Sequence, residues 1–143
     1  TNMTTFSLDT NILIALWDDA NTLNLPARQC LDHARAIGQL KLSAPVYCEL
    51  MGHPSRSIAE IDSFLGVTGI DTDWSLEEAV WRAAGVAFKG YVRRRIASTG
   101  TFPRRILTDF LIGAHAAVRG YTLLTLDQKL YRAAFPGIRT VSF

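Results

Sequence analysis

The sequence has little of what marks several protein classes, and each shortage excludes one of them. Only two of its 143 residues are cysteines, Cys30 and Cys48, and neither belongs to a CxxC or Cys/His pattern. A disulfide framework is therefore excluded, and a zinc site is disfavoured. The apolar run at residues 12–17 is short and follows Asp9, so we expect neither a signal peptide nor a membrane span. A reducing cytoplasm is the expected location.

An excess of one charge sign is also missing. The 15 Lys and Arg residues against 13 Asp and Glu residues give a net charge of +2, which by itself does not indicate nucleic-acid binding. A hydrophobic fraction of 48% and a charged fraction of 20% are typical of a folded globular chain. We expect one domain over residues 3–143, with Thr1 and Asn2 as a cloning remnant before Met3.

Segments that favour strands alternate with segments that favour helices. Strands are expected at 5–8, 41–46, 67–70, 121–125 and 138–141. Helices are expected after Asp9, at 26–38, around Glu49, at 58–65, from a Ser75–Glu78 capping box to Gly100, from Pro103 to Gly120, and at 127–135. This alternation predicts an α/β fold with a mainly parallel sheet covered by helices on both faces.

Four acids fall where such a sheet binds ligands. Asp9 ends the first strand, Glu49 and Asp127 follow later strands, and Asp109 lies in the first turn of a helix. The carboxyl ends of parallel strands share one edge, so these side chains can meet there. Crowded carboxylates repel one another unless a dication neutralises them. Oxygen ligands without a His or Cys cluster favour Mg²⁺ or Mn²⁺, which can activate water to hydrolyse a phosphodiester.

Each acid also has a purely structural interpretation. Asp9 and Asp127 could cap helices, and Asp109 could interact with a helix dipole. Glu49 is harder to explain in this way, because its neighbours are apolar and would penalise an unpaired carboxylate. Its neighbour Cys48 has no activating base and is interpreted as a small buried residue. The three histidines are interpreted as structural, and the three tryptophans as packing residues or dimer contacts.

A basic stretch precedes Asp109. No acid lies between Glu78 and Asp109, and the cations proposed to contact nucleic-acid phosphates there are Lys89, Arg93, Arg94, Arg95, Arg104 and Arg105. The alternative is a solvated helix face. The interleaved aromatic residues Phe88, Tyr91 and Phe102 could stack on bases, although we favour core positions for them.

Four segments together resemble the PIN-domain family, and within it the VapC-like toxins of toxin–antitoxin pairs. They are residues 6–13, 45–50, 107–116 and 123–127, which contain the four acids in order. The resemblance implies a three-layer α/β/α sandwich, Mg²⁺- or Mn²⁺-dependent endoribonuclease activity on RNA, a homodimer, and inhibition by a small antitoxin protein.

The resemblance also implies roles for single residues. Asp9, Glu49 and Asp109 match the core metal-site acids, and Asp127 matches a fourth, more variable acid that could lie in the second shell. Asn11 matches a supporting polar residue. Thr125 could form a hydrogen bond at the same edge, or could simply end a strand.

Two other functions stay open. A catalytically silent module could keep the fold and only bind RNA or protein, although the presence of all four acids disfavours it. A receiver-type phosphoacceptor domain would need an aspartate at the end of the middle strand and a later lysine. Glu49 occupies that place, and no lysine lies between Lys89 and Lys129.

Overall fold

Five parallel strands form the centre of the molecule in a computed structural model that describes residues 4–100 and 107–142. The strands are β1 (Thr4–Leu8), β2 (Gly38–Ser43), β3 (Ile70–Asp73), β4 (Thr122–Leu124) and β5 (Thr140–Val141). The helices are α1 (Thr10–Trp17), α2 (Asn24–Ile37), α3 (Ala44–Met51), α4 (Ile58–Thr68), α5 (Glu78–Thr99), α6 (Leu107–Arg119) and α7 (Gln128–Ala134). The strand order is β3-β2-β1-β4-β5, so the predicted mainly parallel α/β/α architecture is confirmed.

The central strand β1 explains the layering. It pairs in parallel with β2 on one side, through Phe6 and Leu40, and with β4 on the other, through Leu8 and Leu124. Its last three residues are buried, and so are all three residues of β4. Successive side chains of a strand point to opposite faces, so uninterrupted burial means that helices cover both faces of the sheet.

Two of the predicted strands lie three residues away from their predicted positions, whereas the other strands differ by at most two residues at either end. β2 ends at Ser43 instead of continuing to residue 46, because α3 begins at Ala44 with Pro45 in its first turn, where a fixed φ favours a helix. The third strand lies at 70–73 and not at 67–70. Helix α4 continues to Thr68 and ends at Gly69, whose φ of 71° only glycine adopts readily.

The capping box predicted at Ser75 and Glu78 does not form. Helix α5 begins at Glu78 after an N-cap at Glu77 that makes no side-chain cap hydrogen bond. A capping box does form at the start of α4. The predicted end of α5 at Gly100 is confirmed, and the predicted helix start at Pro103 lies outside the described residues.

Helix α6 passes through the interior. Residues 110–116 are buried without interruption, so the helix that carries Asp109 is fixed by packing around most of its circumference. Gly113 lies where α6 meets α7, and a Cβ at this position would be 2.4 Å from the Phe135 ring. No helix in the described part of the chain is long and apolar enough to cross a membrane.

Candidate metal centre

The four predicted acids line one cavity of about 370 Å³ at the carboxyl edge of the central strands. Asp9 directly follows β1, Asp127 follows β4, Glu49 lies on α3, and Asp109 lies in the first turn of α6. The remaining lining residues are Thr10, Asn11, Ile14, Ala15, Asn21 and Tyr131. The fold thus brings together acids that are separated by up to 118 positions in the chain.

Asp9 is fixed more tightly than a surface carboxylate. It is 5% exposed, and it is the N-cap of α1, with Oδ1 accepting a hydrogen bond of 2.8 Å from the Thr10 backbone N–H. Its Oδ2 accepts a second bond of 2.8 Å from the Thr125 hydroxyl. The Asp9 backbone N–H donates to the Leu124 carbonyl at 2.9 Å, which extends the β1–β4 pairing. Asp9 is therefore a helix cap and also a member of the acid group.

Burial raises the pKa of Asp9 to about 6 from an ordinary 3.8. Desolvation is the main cause, and the Thr125 hydroxyl, the nearby Tyr131 hydroxyl and the Thr10 N–H work against it, while the negative charge of Asp109 raises the pKa further. Keeping this group ionised at neutral pH is costly in the absence of a cation. A cation in the cavity would remove that cost.

Two predicted supporting residues connect the loop after β4 to this edge. The Thr125 hydroxyl donates to Asp9 and accepts from the Asp127 backbone N–H at 2.9 Å. Asn11 Oδ1 accepts from the Leu126 backbone N–H at 3.2 Å. Thr125 forms hydrogen bonds with the Asp9 carboxylate and with the Asp127 backbone N–H. It therefore sets the position of Asp127 relative to Asp9.

Glu49 has a setting different from the one expected. Both it and Cys48 are exposed on α3, so the apolar environment expected for Glu49 and the buried position expected for Cys48 are wrong. The Thr10 hydroxyl donates to Glu49 Oε1 at 2.8 Å. Thr10 thus holds Asp9 through its backbone and Glu49 through its side chain, a role that the sequence analysis did not assign.

Tyr131 is a second residue that the sequence analysis missed. Its side chain is 1% exposed and its hydroxyl makes no hydrogen bond of good geometry within the described residues. Burial and the carboxylates of Asp9, Asp109 and Glu49 raise its pKa, so the hydroxyl stays protonated. A neutral hydroxyl close to Asp9 stabilises the charged carboxylate, and Tyr131 therefore lowers the pKa of Asp9.

The donor set fits a hard metal ion. All four candidate ligands are carboxylates, which Mg²⁺ and Mn²⁺ accept, and an ion would offset the repulsion between Asp9 and Asp109. Across residues 4–100 and 107–142, no three Asp, Glu, His or Cys side chains already lie close enough to bind one ion together. The carboxylates therefore surround a cavity and do not form a closed cluster.

A second cavity adjoins the first. It has about 610 Å³ and shares Asp127 with the acid cavity. Its other lining residues are Tyr91, Arg94, Arg95, Ser98, Lys129, Leu130 and Ala133. We call it the basic groove, because three of these residues are cations and Asp127 is the only acid among them.

The predicted basic residues divide between the two sides of α5. Arg94 and Arg95 line the basic groove, whereas Lys89 and Arg93 are exposed and do not line it. Arg104 and Arg105 lie outside the described residues, as does Phe102. The other two aromatic residues, expected in the core, are half-buried at its edge: Phe88 and Tyr91 pack against Phe110 with ring centroids 5.3 and 5.4 Å apart, and Tyr91 also lines the basic groove.

The histidines and tryptophans lie away from the acid cavity. His115 is fully buried, and its Nε2 is 2.9 Å from Asp73 Oδ2, which agrees with a structural role. Trp17 packs against Phe64. Trp74 and Trp81 are 64% and 52% exposed and border an apolar groove of about 470 Å³.

Comparisons with known proteins give the same fold. Three similar solved structures are VapBC2 from Rickettsia felis bound to a DNA fragment from its promoter (20% identity, TM-score 0.66, covering 97% of this chain and 98% of that chain), VapBC-1 from nontypeable Haemophilus influenzae (19%, 0.65, 97% and 98%) and a toxin–antitoxin complex from Klebsiella pneumoniae (21%, 0.62, 94% and 94%). No curated protein matches the chain. The family model of the PIN domain matches residues 7–136, and the chain therefore belongs to the PIN-domain family.

Proposed function

We propose that the protein is a Mg²⁺- or Mn²⁺-dependent endoribonuclease and the toxin of a toxin–antitoxin pair. One observation carries the proposal: in a chain of the PIN-domain family, four carboxylates line one cavity, and a groove with three cations adjoins it. The first feature suits a metal-dependent hydrolase, and the second suits a polyanionic substrate.

In this proposal Asp9, Glu49, Asp109 and Asp127 hold the metal, and Asn11 and Thr125 support them. A bound dication would activate water and stabilise the departing oxygen of the phosphodiester. Thr125 keeps Asp9 oriented, and Thr10 does the same for Glu49. These hydroxyl contacts restrict the carboxylates before a metal arrives, which lowers the entropy lost on binding.

RNA is the proposed substrate, and the cytoplasm is the proposed place of action. Of the six basic residues predicted to contact phosphates, Arg94 and Arg95 line the basic groove and remain candidates, Lys89 and Arg93 do not line it, and Arg104 and Arg105 lie outside the described residues. RNA is favoured over DNA by the VapC-like motifs. The alternative of a catalytically silent binding module keeps the same surface but needs no metal.

The cleavage test uses the purified protein, freed of any partner, with a labelled single-stranded RNA. We expect cleavage with Mg²⁺ or Mn²⁺ and none with a chelator. Asp9→Asn and Asp109→Asn should each abolish it, while Asp32→Asn, an exposed acid on α2, serves as the matched control. If Asp9→Asn cleaves as fast as the parent protein, the proposed site is wrong.

A metal titration separates the enzyme from the silent module. A ligand that binds only the folded state raises the unfolding temperature, so Mn²⁺ should raise that of the parent protein and have no such effect on Asp109→Asn. An identical response in both proteins would exclude a metal site at Asp109.

The proposed partners are an antitoxin and a second copy of this chain. The similar solved structures include two VapBC complexes and a complex of a toxin with its antitoxin, which supports an antitoxin partner. For the homodimer we propose the apolar groove beside Trp74 and Trp81, because exposed tryptophans are unusual on a free surface and frequent in interfaces.

Mass measurement in solution tests the dimer. The parent protein should elute as a dimer in light-scattering chromatography, and the Trp74→Ala/Trp81→Ala double variant should dissociate. Leu25→Ala removes an apolar side chain that is 62% exposed elsewhere, and it should leave the mass unchanged. A parent protein that is monomeric at every concentration contradicts this part of the proposal.

A further inference from the structure

The basic groove lies between helices α5 and α7 and opens next to the acid cavity. Asp127 belongs to both cavities, so a chain lying in the groove reaches the proposed metal site without crossing another surface. Three cations, Arg94, Arg95 and Lys129, line the groove. Its position and charge suit a phosphodiester chain that continues beyond the bond at the acid cavity.

Helix periodicity separates the groove cations from the other cations of α5. Residues 91, 94, 95 and 98 line the groove and follow the spacing that places side chains on one helix face. At about 100° per residue, Lys89 and Arg93 lie on the opposite face. Both are exposed, and neither lines the groove. The same helix thus provides two pairs of cations that differ in direction but not in charge.

Arg95 has a donor that the described protein does not satisfy. Its Nε is buried and has no hydrogen-bond partner within the described residues. A buried donor without a partner lowers the stability of the folded protein, and an oxygen acceptor bound in the groove would remove this penalty. A guanidinium group can bind two phosphate oxygens at once, and Arg95 is therefore suited to hold a phosphate group beside Asp127.

The groove also offers a place for a base. Tyr91 and Leu130 are half-buried lining residues, and the Tyr91 ring is held by Phe110, whose centroid is 5.4 Å away. A fixed aromatic ring beside phosphate-binding cations is the arrangement on which unpaired bases stack. Paired bases are stacked inside a duplex and cannot use such a surface.

We propose that the basic groove binds the single-stranded RNA segment next to the cleaved phosphodiester. Arg94, Arg95 and Lys129 contact its phosphates, and Tyr91 stacks on one of its bases. Lys129 is a new binding residue, while Lys89 and Arg93 lie outside the path. This inference rests on the proposed ribonuclease function.

Binding without cleavage tests the groove directly. The probe is a fluorescein-labelled oligouridine of about 12 nucleotides, a length within the usual site sizes for single strands, measured by anisotropy with a chelator present. Lys129→Ala and Arg95→Ala should each weaken binding roughly fivefold near 0.1 M salt and lower the salt slope by about 0.7 per lost phosphate contact. Lys89→Ala and Arg93→Ala are matched controls and should change neither quantity more than about twofold.

Several outcomes would overturn the proposal. Equal weakening by the control pair would mean that the cations act only through long-range charge. Tighter binding of a duplex of the same length would contradict a single-stranded path. An oligoglutamate peptide that binds through Arg95 and Lys129 while oligouridine does not would assign the groove to an acidic protein segment.

Two further measurements keep the outcomes distinct. If Arg95→Ala lowers the unfolding temperature, its weaker binding could come from partial unfolding. The comparison is then made at an exposed residue, with Lys129→Glu expected to weaken binding and Lys89→Glu as its control. If the parent protein cleaves RNA with a metal but the groove variants still bind oligouridine normally, the groove proposal is wrong and the ribonuclease proposal stands. Groove-dependent binding with no cleavage in any metal would support the groove and contradict the ribonuclease.

Discussion

At the scale of single residues, Thr10 connects two of the four acids. Its backbone N–H donates to Asp9 and its hydroxyl donates to Glu49, both at 2.8 Å. Glu49 is exposed, so packing does little to hold its carboxylate, and the Thr10 hydroxyl is what orients it. Residues that orient metal ligands in this way affect metal affinity without touching the ion.

Thr10→Val should therefore weaken the proposed metal site while leaving the fold intact. We expect the Mn²⁺ concentration for half-maximal cleavage to rise about tenfold, the lower end of the range for lost orienting contacts. Thr10→Ser keeps the hydroxyl and should behave like the parent protein. If the valine variant needs no more Mn²⁺ than the serine variant, Thr10 does not position Glu49.

The acids and their supporting residues differ in how far the sequence predicts them. Asp9 and Asp127 follow strands whose patterns are clear, and parallel strands bring their ends to one edge. Asn11 was predicted from motif resemblance, and Thr125 from its place at a strand end two residues before Asp127. Tyr131 could not be predicted, because its place beside Asp9 depends on how α7 packs. In the sequence, a tyrosine with apolar neighbours cannot be distinguished from an ordinary core residue.

At the scale of elements, types are predicted better than boundaries. The alternation of strands and helices gave the parallel sheet, since period and composition are local properties. The end of β2 at Ser43 was not predicted, because Ala44 and Val46 have apolar side chains that suit a strand or a helix, and only Pro45 favours the first turn of a helix. Tertiary packing of Val46 and Leu50, both fully buried on α3, decides in favour of the helix.

Contact between α6 and α7 positions Tyr131 and depends on the absence of a side chain at Gly113. A Cβ there would lie 2.4 Å from the Phe135 ring and 2.9 Å from the Tyr131 ring. Gly113→Ala should destabilise the protein by about 1–3 kcal/mol, as overpacking does, and displace Tyr131 from the acid cavity. Urea unfolding measures the first effect and the rate of metal-dependent cleavage the second.

Gly85 on α5 is the matched control for this prediction. It is also inside a helix, but a Cβ there would meet nothing within 4 Å. Gly85→Ala should therefore stabilise the protein by up to about 1 kcal/mol through helix propensity. If Gly113→Ala and Gly85→Ala change the unfolding free energy in the same direction, the predicted destabilisation at Gly113 does not come from the contact between α6 and α7.

At the scale of the whole molecule, two buried groups give stability opposite dependences on pH. The pKa of Asp9 is raised to about 6, so above that pH the metal-free protein pays for a buried charge that the unfolded chain does not bury. The pKa of His115 is lowered, mainly by burial, although Asp73 opposes this. The folded state therefore disfavours the charged imidazolium, and stability from this group falls as the pH drops below 6.5.

Asp9→Asn separates these two contributions. Near pH 7.5 it should raise the unfolding free energy of the metal-free protein, by up to about 3 kcal/mol for a shift from 3.8 to about 6. The gain should shrink as the pH falls through 6 towards 4, where the parent carboxyl is protonated in both states. Urea unfolding of the two proteins at several pH values measures this difference, in which the shared His115 contribution cancels.

The same comparison with Mn²⁺ should reverse the order of stability. An ion that binds the ionised parent stabilises it by mass action, whereas Asp9→Asn gains nothing. Asp32→Asn should follow the parent protein in both conditions, since its carboxyl is exposed on α2. A gain that is the same at every pH would mean that asparagine merely packs better at this position. A gain that depends on pH and is lost on adding Mn²⁺ would identify Asp9 as an acid kept at a cost in stability for the sake of a cation.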